Sequence, residues 1–249
     1  MTDRFQHYQG YELLLKKIDE GVRRYEKTRI PVVSGFMGPD KLNVIRQYLG
    51  NTVPYQLFGG YEEAFSKILI IGEDEDIKEH IVCLKADYNP KFVTITHRDV
   101  LGTVFSLGID ESSFGDMWVD EGAIYLYVTR EISSYVVNNM TRIRNAHVQF
   151  RILDDYPAQQ FRFRTFTITV SSYRLDRILA TSIRKSRQKC QEMIRNSLIN
   201  VNYQTIEDCD FLCHNGDILS VRGVGRFQVG EEVTSTRSGN VVIEMKQFV

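Results

Sequence analysis

The sequence has no apolar run that approaches the ~20 residues needed to cross a bilayer, and its longest purely aliphatic run is only Ile68–Ile71. The first residues, Met1–Gln9, are polar and show no apolar stretch of the kind found in a secretory signal. Neither sign of charge dominates, because the chain has 31 Lys and Arg and 32 Asp and Glu. Of its residues, 43% are hydrophobic. These features exclude a disordered chain and predict a globular, cytoplasmic protein without a membrane span.

Cysteine is scarce, and its spacing does not favour a metal site. The chain has four cysteines, Cys83, Cys190, Cys209 and Cys213. Cys209 and Cys213 are followed by His214, but a zinc site would need a second pair of ligands. We therefore expect reduced, structural thiols, no bound metal and no cofactor.

The familiar catalytic signatures are absent as well. His97-Arg98-Asp99 has the letters of a kinase catalytic loop, but no glycine-rich loop, strand lysine or Asp-Phe-Gly accompanies it. Gly223-x-Gly225 is too short for a dinucleotide fingerprint. Arg174-Leu175-Asp176 is similar to part of a pseudouridine synthase site, but Tyr173 stands where that site has glycine. The sequence therefore predicts a protein that is not an enzyme.

What the sequence does have is charge that is unevenly distributed. Residues 60–121 carry five basic and fourteen acidic side chains, whereas residues 142–195 carry twelve basic and four acidic ones. A block with a net charge of +8 inside a neutral chain is either an electrostatic footprint for a polyanion or a solvated basic face. The acidic block would repel phosphate, so we do not expect it to be the main surface for a polyanion.

Hydrophobic periodicity predicts an α+β protein with three domains. They are an N-terminal α/β domain over 1–75, an RRM-like (ferredoxin-like) domain over 76–165 and a further domain over 171–235. Residues 236–249 are predicted to form a C-terminal strand or tail. Length alone favours two domains. The N-terminal segment reads as helices from Tyr11 and from Asp40–Tyr48, strands Val53–Phe58 and Ile68–Ile71, and a short helix Tyr61–Ser66. Gly35–Asp40 is predicted to interrupt regular secondary structure.

Residues 77–155 read as β-β-α-β-β-α-β, a split βαβ pattern with one added strand. The elements are strands Ile81–Ala86, Phe92–Thr96, Asp116–Val119, Ala123–Val128 and Val148–Leu153, with helices Arg98–Leu107 and Arg130–Ile143. In such modules aromatic residues on the central strands can stack RNA bases, and Phe92, Tyr125 and Tyr127 are the candidates. We expect them to pack in the core instead, because the glycine-aromatic signature of an RNA-binding strand is missing.

Basic residues gather around two short helices in the C-terminal part. Leu175, Ile178 and Leu179 form an apolar stripe on the first helix. Ser186 is a suitable N-cap for the second helix, Arg187–Asn196. Basic side chains at that N-terminus oppose the helix dipole and become favourable when a phosphate binds there. Strands Leu198–Tyr203 and Ile218–Val221 follow, joined through an Asn215-Gly216-Asp217 turn.

The order Arg174-Leu175-Asp176, Ser186-Arg187, Ile199-x-Val201-Asn202 and Gly216-Asp217-Ile218 resembles the S4 RNA-binding domain (αL type). Ser197 and Tyr203 stand where that domain commonly has glycine. The ending Val221-Arg222-Gly223-x-Gly225-Arg226-Phe227, with Phe36-Met37-Gly38-Pro39 and Gly59-Gly60-Tyr61-Glu62 upstream, is similar to the YlmH family of bacterial S4 proteins. The resemblance covers nearly the whole chain. It implies a link to ribosome-associated RNA, to the rescue of stalled large subunits and to a gene neighbourhood of cell division.

Together these observations predict a non-enzymatic protein that binds ribosomal RNA, tRNA or both at the large ribosomal subunit. The predicted RNA-binding residues are Arg174, Arg177, Arg184, Lys185, Ser186, Arg187, Lys189, Arg195, Asn202, Arg222 and Arg226. Arg187 is expected to be the central RNA contact. Because it is a surface residue, its charge reversal is expected to leave folding intact. Charge reversal at Arg237, outside the S4 pattern, is expected to weaken RNA binding much less. The alternative is a protein-interaction adaptor linked to cell division, which would bind a protein partner through the acidic 60–121 region and use the S4 domain as an RNA tether.

Overall fold

The computed structural model describes residues 10–120, 122–236 and 239–249. The polar N-terminus and Arg237 lie outside this part of the chain. The chain forms two compact units, Met1–Gln159 and Gln160–Val249. Both helices and sheets occur, so the expected α+β class is confirmed, whereas the division into four segments stays a prediction. No helix in the described ranges is long and apolar enough to span a membrane.

The first unit contains four α-helices and nine strands among its described residues. The helices are α1 (Glu12–Thr28), α2 (Pro39–Leu49), α3 (His97–Ser106) and α4 (Arg130–Asn139). The strands are β1 (Val32–Met37), β2 (Tyr55–Phe58), β3 (Lys67–Ile71), β4 (Ile81–Asp87), β5 (Phe114–Asp120), β6 (Ala123–Thr129), β7 (Arg142–Ile143), β8 (Ala146–His147) and β9 (Arg151–Ile152).

The N-terminal layer is a three-stranded antiparallel sheet in the order β1-β3-β2, with α1 and α2 packed on it. Its core includes Leu15, Ile45 and Leu69, each less than 3% exposed. Strand β1 was not predicted, because Gly35 is a residue type that usually interrupts helices and strands. Gly35 lies inside the strand at a register irregularity, where a Cβ atom would come within 2.5 Å of the Ser112 carbonyl oxygen.

The second layer is a four-stranded antiparallel sheet in the order β5-β6-β4-β9. Helices α3 and α4 contribute Val100, Val104 and Val136 to its core. Helix α3 begins with a capping box between Thr96 and Asp99. Counted along the chain, β4, α3, β5, β6, α4 and β9 follow one another as β-α-β-β-α-β.

Three predictions in this region are wrong, and each has a local cause. Tyr61–Ser66 is not helical, because the backbone N–H groups of Phe65 and Ser66 donate to the buried Asp116 carboxylate. Phe92–Thr96 is a loop that runs directly into the capping box of α3, so it pairs with no strand. The last predicted helix ends at Asn139 instead of Ile143, because the β7–β8 hairpin follows at once.

The two sheets of the first unit share an apolar layer. It contains Phe36, Ile68 and Ile70 from the first sheet and Cys83, Trp118 and Tyr127 from the second. Asp116 on β5, which is 8% exposed, also links the two sheets, because it accepts a hydrogen bond from the hydroxyl of Tyr61, which follows β2, at 2.6 Å. The face of the second sheet that lies away from α3 and α4 is therefore covered.

The second unit is a single antiparallel sheet with two helices on one face. Its helices are α5 (Leu175–Ser182) and α6 (Arg187–Arg195). Its strands are β10 (Phe163–Val170), β11 (Ile199–Val201), β12 (Gln204–Thr205), β13 (Ile218–Val221), β14 (Gly225–Ser235) and β15 (Val241–Phe248), in the order β10-β15-β14-β13-β11-β12. The closing strand β15 pairs with β10 on one side and with β14 on the other.

Side chains from both helices and from alternate strand positions form one core in this unit. They include Leu175, Ile178 and Ile194 from the helices and Val229 and Ile243 from the sheet, all fully buried. Because side chains alternate across a strand, the intervening residues point away from the helices. The sheet therefore has one face packed on helices and one face that no element of this unit's described residues covers.

Candidate nucleic-acid interface

The segment between α5 and α6 presents a run of exposed cations. Arg184 and Lys185 are both exposed, and Arg184 has a left-handed backbone with φ of 53°. Ser186 caps α6 as expected, since its hydroxyl oxygen accepts a hydrogen bond from the Lys189 backbone N–H at 3.2 Å. The first turn of α6 contains no acidic residue. This turn and the connecting segment therefore combine a helix N-terminus with several positive side chains, an arrangement that favours phosphate.

A buried carboxylate organises the arginines on this surface. Asp176 is fully buried and accepts hydrogen bonds from Arg174 Nε (3.2 Å) and Nη2 (3.1 Å). Arg187 Nε donates to the same carboxylate at 2.9 Å, and Gln191 Nε2 does so at 2.7 Å. Arg174 is also paired with Asp210. Two arginines, Arg174 immediately before α5 and Arg187 at the start of α6, are thus held in fixed positions around one anion.

The electrostatics of this site keep Asp176 ionised. Burial by itself would raise the pKa of Asp176, but the hydrogen bonds from Arg174, Gln191 and Arg187 outweigh burial and lower the pKa to about 2. Asp176 belongs to the Arg174-Leu175-Asp176 motif, but it is not among the predicted site residues. The available signal was a single acid in the first turn of a helix surrounded by basic residues.

Arg187 therefore differs from its prediction in one respect. Its side chain is 45% exposed, so the guanidinium is accessible to a ligand, but its Nε is committed to Asp176. The premise that Arg187 is a surface residue without a structural partner does not hold, and we now expect charge reversal there to lower stability, because a glutamate would place a second carboxylate against a buried one. The RNA contact itself stays a prediction.

The remaining predicted residues lie at several places in the second unit. Arg195 is exposed at the end of α6, and Lys189 pairs with Glu192 at 2.8 Å. Arg177 is half-buried, and its Nε is buried without a hydrogen-bond partner. Arg222 is exposed in the turn between β13 and β14.

We call Arg184, Lys185, Arg174 and Arg187, around the α5–α6 connection, the basic helix surface. Asn202 and Arg226 are not part of it. The Asn202 side chain donates to Asp217 at 2.8 Å and accepts from the Ile218 backbone N–H at 2.9 Å, so both of its polar atoms serve the fold. Arg226 alternates with the core residue Phe227 and therefore lies on the opposite face of the sheet. The geometry thus gives no support to an RNA contact at Asn202 and separates Arg226 from the helix-surface cations.

The aromatic candidates of the first unit are largely occupied in packing. Tyr127 is fully buried in the layer between the two sheets, and Tyr125 stacks on Trp118 with ring centroids 4.8 Å apart. Core packing is therefore confirmed for Tyr127. The expectation that Phe92 packs in the core is wrong, because it is 86% exposed on a loop.

The cysteines have the properties of structural residues. All four are reduced, and Cys83, Cys190 and Cys213 are buried. Burial raises the pKa of Cys83 and of Cys213 to about 12, so neither is a thiolate at neutral pH. Among the described residues no three His, Cys, Asp or Glu side chains form a group that could hold a metal ion.

Comparison with known proteins adds three findings. Residues 73–155 match the family described as "Putative RNA-binding domain in YlmH". Over 236 residues the chain is 30% identical to the "Ribosome-associated protein quality control protein P2" of Bacillus subtilis (strain 168), and the match covers 91% of each chain. The solved structure of the "Cell division protein ylmH from Streptococcus pneumoniae" matches with a TM-score of 0.49 and 20% identity, covering 57% of this chain and 90% of that one. A TM-score at that level does not establish a shared fold.

Proposed function

Because this chain belongs to the YlmH family, we propose that it is a non-enzymatic RNA-binding protein that acts on ribosomal RNA, tRNA or both at the large ribosomal subunit. The B. subtilis relative is named for ribosome-associated quality control, and we propose the same process here. The observation that carries the proposal is the exposed basic segment between α5 and α6, whose neighbouring arginines are fixed on the buried Asp176. Fixed, exposed cations at a helix N-terminus are suited to an RNA backbone.

We also propose that residues 76–165 form an RRM-like module and residues 171–235 an S4 domain. The β-α-β-β-α-β order with the sheet order β5-β6-β4-β9 supports the first assignment. Ser197 and Tyr203 support the second, because they stand where S4 domains commonly have glycine and both have left-handed backbones, with φ of 55° and 69°.

RNA affinity is expected to depend strongly on salt. If about five phosphates are neutralised, log K should fall against log salt concentration with a slope of about −3.5 to −4.5. Affinity for ribosomal RNA fragments, measured at several salt concentrations, checks this value. A flat dependence would show that binding does not rely on the basic surface.

The family described as "Putative RNA-binding domain in YlmH" matches residues 73–155, whereas the basic helix surface lies in the other unit. Residues 73–155 carry eight basic and fifteen acidic side chains, and the sheet face that would stack bases is covered. We therefore propose that the second unit supplies most of the affinity. Any contact from the first unit must use a different surface, for example the loop with the exposed Phe92.

Separating the two units tests this assignment. Residues 160–249 are expected to bind ribosomal RNA within about tenfold of the full chain, because they contain the helix surface, and residues 1–159 much more weakly. Circular dichroism must show that both pieces are folded. Equal affinity of the two pieces would move the main RNA surface into the first unit.

The adaptor alternative predicts a different result. Several aspartates in the acidic 60–121 region are engaged within the fold: Asp87 pairs with Arg151 at 2.8 Å, Asp74 with His80, and Asp116 is buried. We therefore favour RNA over an acidic partner surface. Capture of partners with and without nuclease separates the two functions, since a protein partner that survives nuclease treatment would favour the adaptor.

A further inference from the structure

Aromatic rings and an arginine gather at one end of the uncovered sheet face in the second unit. Phe163 on β10 is paired with Phe248 on β15, and Arg226 on β14 is the next residue across the sheet, since its neighbour Phe227 is paired with Gln247. Tyr203 lies beside Arg226 at the end of β11. We call Phe161, Phe163, Tyr203, Arg226 and Phe248 the aromatic end.

The rings are in contact with each other and with the guanidinium. The Phe163 and Phe248 centroids are 4.9 Å apart, and Phe161 lies 5.6 Å from Phe248. Arg226 Cζ is 5.5 Å from the Phe248 centroid and 5.8 Å from the Tyr203 centroid. The guanidinium is thus placed between two aromatic rings, where cation–π attraction holds it.

The aromatic end is accessible, and its composition differs from the rest of the face. Phe163 is 43% exposed, although the next residues of β10 on the same face are Thr165, Thr167 and Thr169. The strand can therefore accept a small polar residue on this side, and the apolar rings are confined to one end. Arg226 is the cation next to the rings and favours an anionic partner, whereas Lys246 on the same face is paired with Glu244 at 3.7 Å.

We propose that the aromatic end stacks an unpaired nucleobase of the bound RNA. A flat base can stack on the exposed ring of Phe163 irrespective of the base's identity, and the Arg226 guanidinium next to the rings suits the phosphate that accompanies the base. This inference rests on the proposed function and deepens it: the helix surface binds the phosphate backbone, and the opposite face of the sheet selects RNA that has a single-stranded segment.

The test compares two RNA probes on the full chain. One is a stem-loop with a six-nucleotide 3′ tail carrying 2-aminopurine, and the other is the same stem-loop lengthened by three base pairs, so that the number of phosphates is equal. We expect the tailed probe to bind about five- to hundredfold more tightly, the range that stacking of one base contributes. The 2-aminopurine fluorescence should be quenched when the base stacks.

Two variants locate the effect. Phe163→Thr copies the residue type of its neighbours on the strand and should remove most of the preference for the tail. Arg226→Lys keeps the charge but removes the planar group, and it should lower the preference about fivefold with an unchanged salt slope. Val233→Thr is the matched control, because Val233 is an exposed apolar residue of the same sheet, 60% exposed, away from the aromatic end.

The outcomes separate this inference from the proposed function. Tight, salt-dependent binding of both probes with no preference for the tail would overturn the stacking site and leave the helix surface intact. Loss of preference in Val233→Thr as well would also overturn it. Failure of both probes to bind would contradict the proposed function itself. Capture of a protein at an intact aromatic end without RNA would overturn the stacking site and assign the surface to a protein partner.

Discussion

Replacing Asp176 with asparagine is expected to lower the free energy of unfolding of the second unit by about 2–4 kcal/mol. The carboxylate is fully buried and accepts hydrogen bonds from Arg174, Arg187 and Gln191. Loss of its charge leaves two arginines beside a neutral amide, and removing one partner of a buried ion pair costs about 3–5 kcal/mol. The expected value is smaller because both guanidiniums are partly exposed and can be rehydrated.

Urea denaturation of the full chain, followed by a probe in the second unit, measures the change. Glu231→Gln is the control, since Glu231 is an exposed acid on β14 of the same unit and its replacement should alter stability by about 0.5 kcal/mol or less. RNA affinity should fall together with stability in Asp176→Asn even where the protein is folded, because Arg174 and Arg187 lose their anchor. An Asp176→Asn protein as stable as the parent would contradict the buried ion-pair network.

The same carboxylate gives stability a pH dependence with a definite sign. The pKa of Asp176 is lowered in the folded state to about 2, below its value of about 3.9 in an unfolded chain. Its contribution is therefore complete above about pH 4 and is lost as the pH falls from about 4 to 2, which amounts to about 2 kcal/mol. The difference in unfolding free energy between the parent and Asp176→Asn should shrink over that interval. A constant difference down to pH 2 would contradict it.

Charge reversal in the segment between α5 and α6 is expected to have the largest effect on RNA binding. The double variant Arg184→Glu/Lys185→Glu should weaken binding on the order of a hundredfold, since two attractive phosphate contacts become repulsive. Both residues are exposed, so the free energy of unfolding should change by about 1 kcal/mol or less. These positions test the RNA surface more cleanly than Arg187, whose guanidinium is bonded to Asp176.

The matched control is Arg23→Glu/Arg24→Glu on α1. These are two adjacent, exposed basic residues in the other unit, and their reversal changes the net charge by the same amount. Filter binding at a fixed salt concentration should show a loss of less than about threefold for this control. Equal losses in the two double variants would mean that only the overall charge of the chain matters.

Local sequence signals predicted much of the second unit. The apolar stripes of α5 and α6, the Ser186 cap and the turn at Asn215-Gly216-Asp217 each depend on residues only a few positions apart. Wrong predictions arose where a distant residue decides the local conformation. Asp116, about fifty residues along the chain, takes the backbone N–H groups of Phe65 and Ser66 that a helix would need.

The candidate site was predictable in its charge but not in its organisation. Exposed cations at Arg184 and Lys185 follow from the helix boundaries, whereas the role of Asp176 depends on three donors that converge only in the folded unit. Strand alternation alone could have placed Arg226 away from the helices, since Phe227 next to it is apolar. The pairing of Phe163 with Phe248 is set by a contact between opposite ends of the unit, and no short motif records it.

The position of β15 has a consequence for how the second unit is made. Its sheet runs β10-β15-β14, so the first strand of the unit has no partner until residues 241–248 have been synthesised. Contacts between segments so far apart in sequence form slowly. During translation α5 and α6 can form early. Until β15 is synthesised, the backbone N–H and C=O groups of β10 are unpaired and can pair with other chains. The unit therefore matures late, and a nascent chain that stops before β15 cannot complete the sheet that supports the proposed RNA surface.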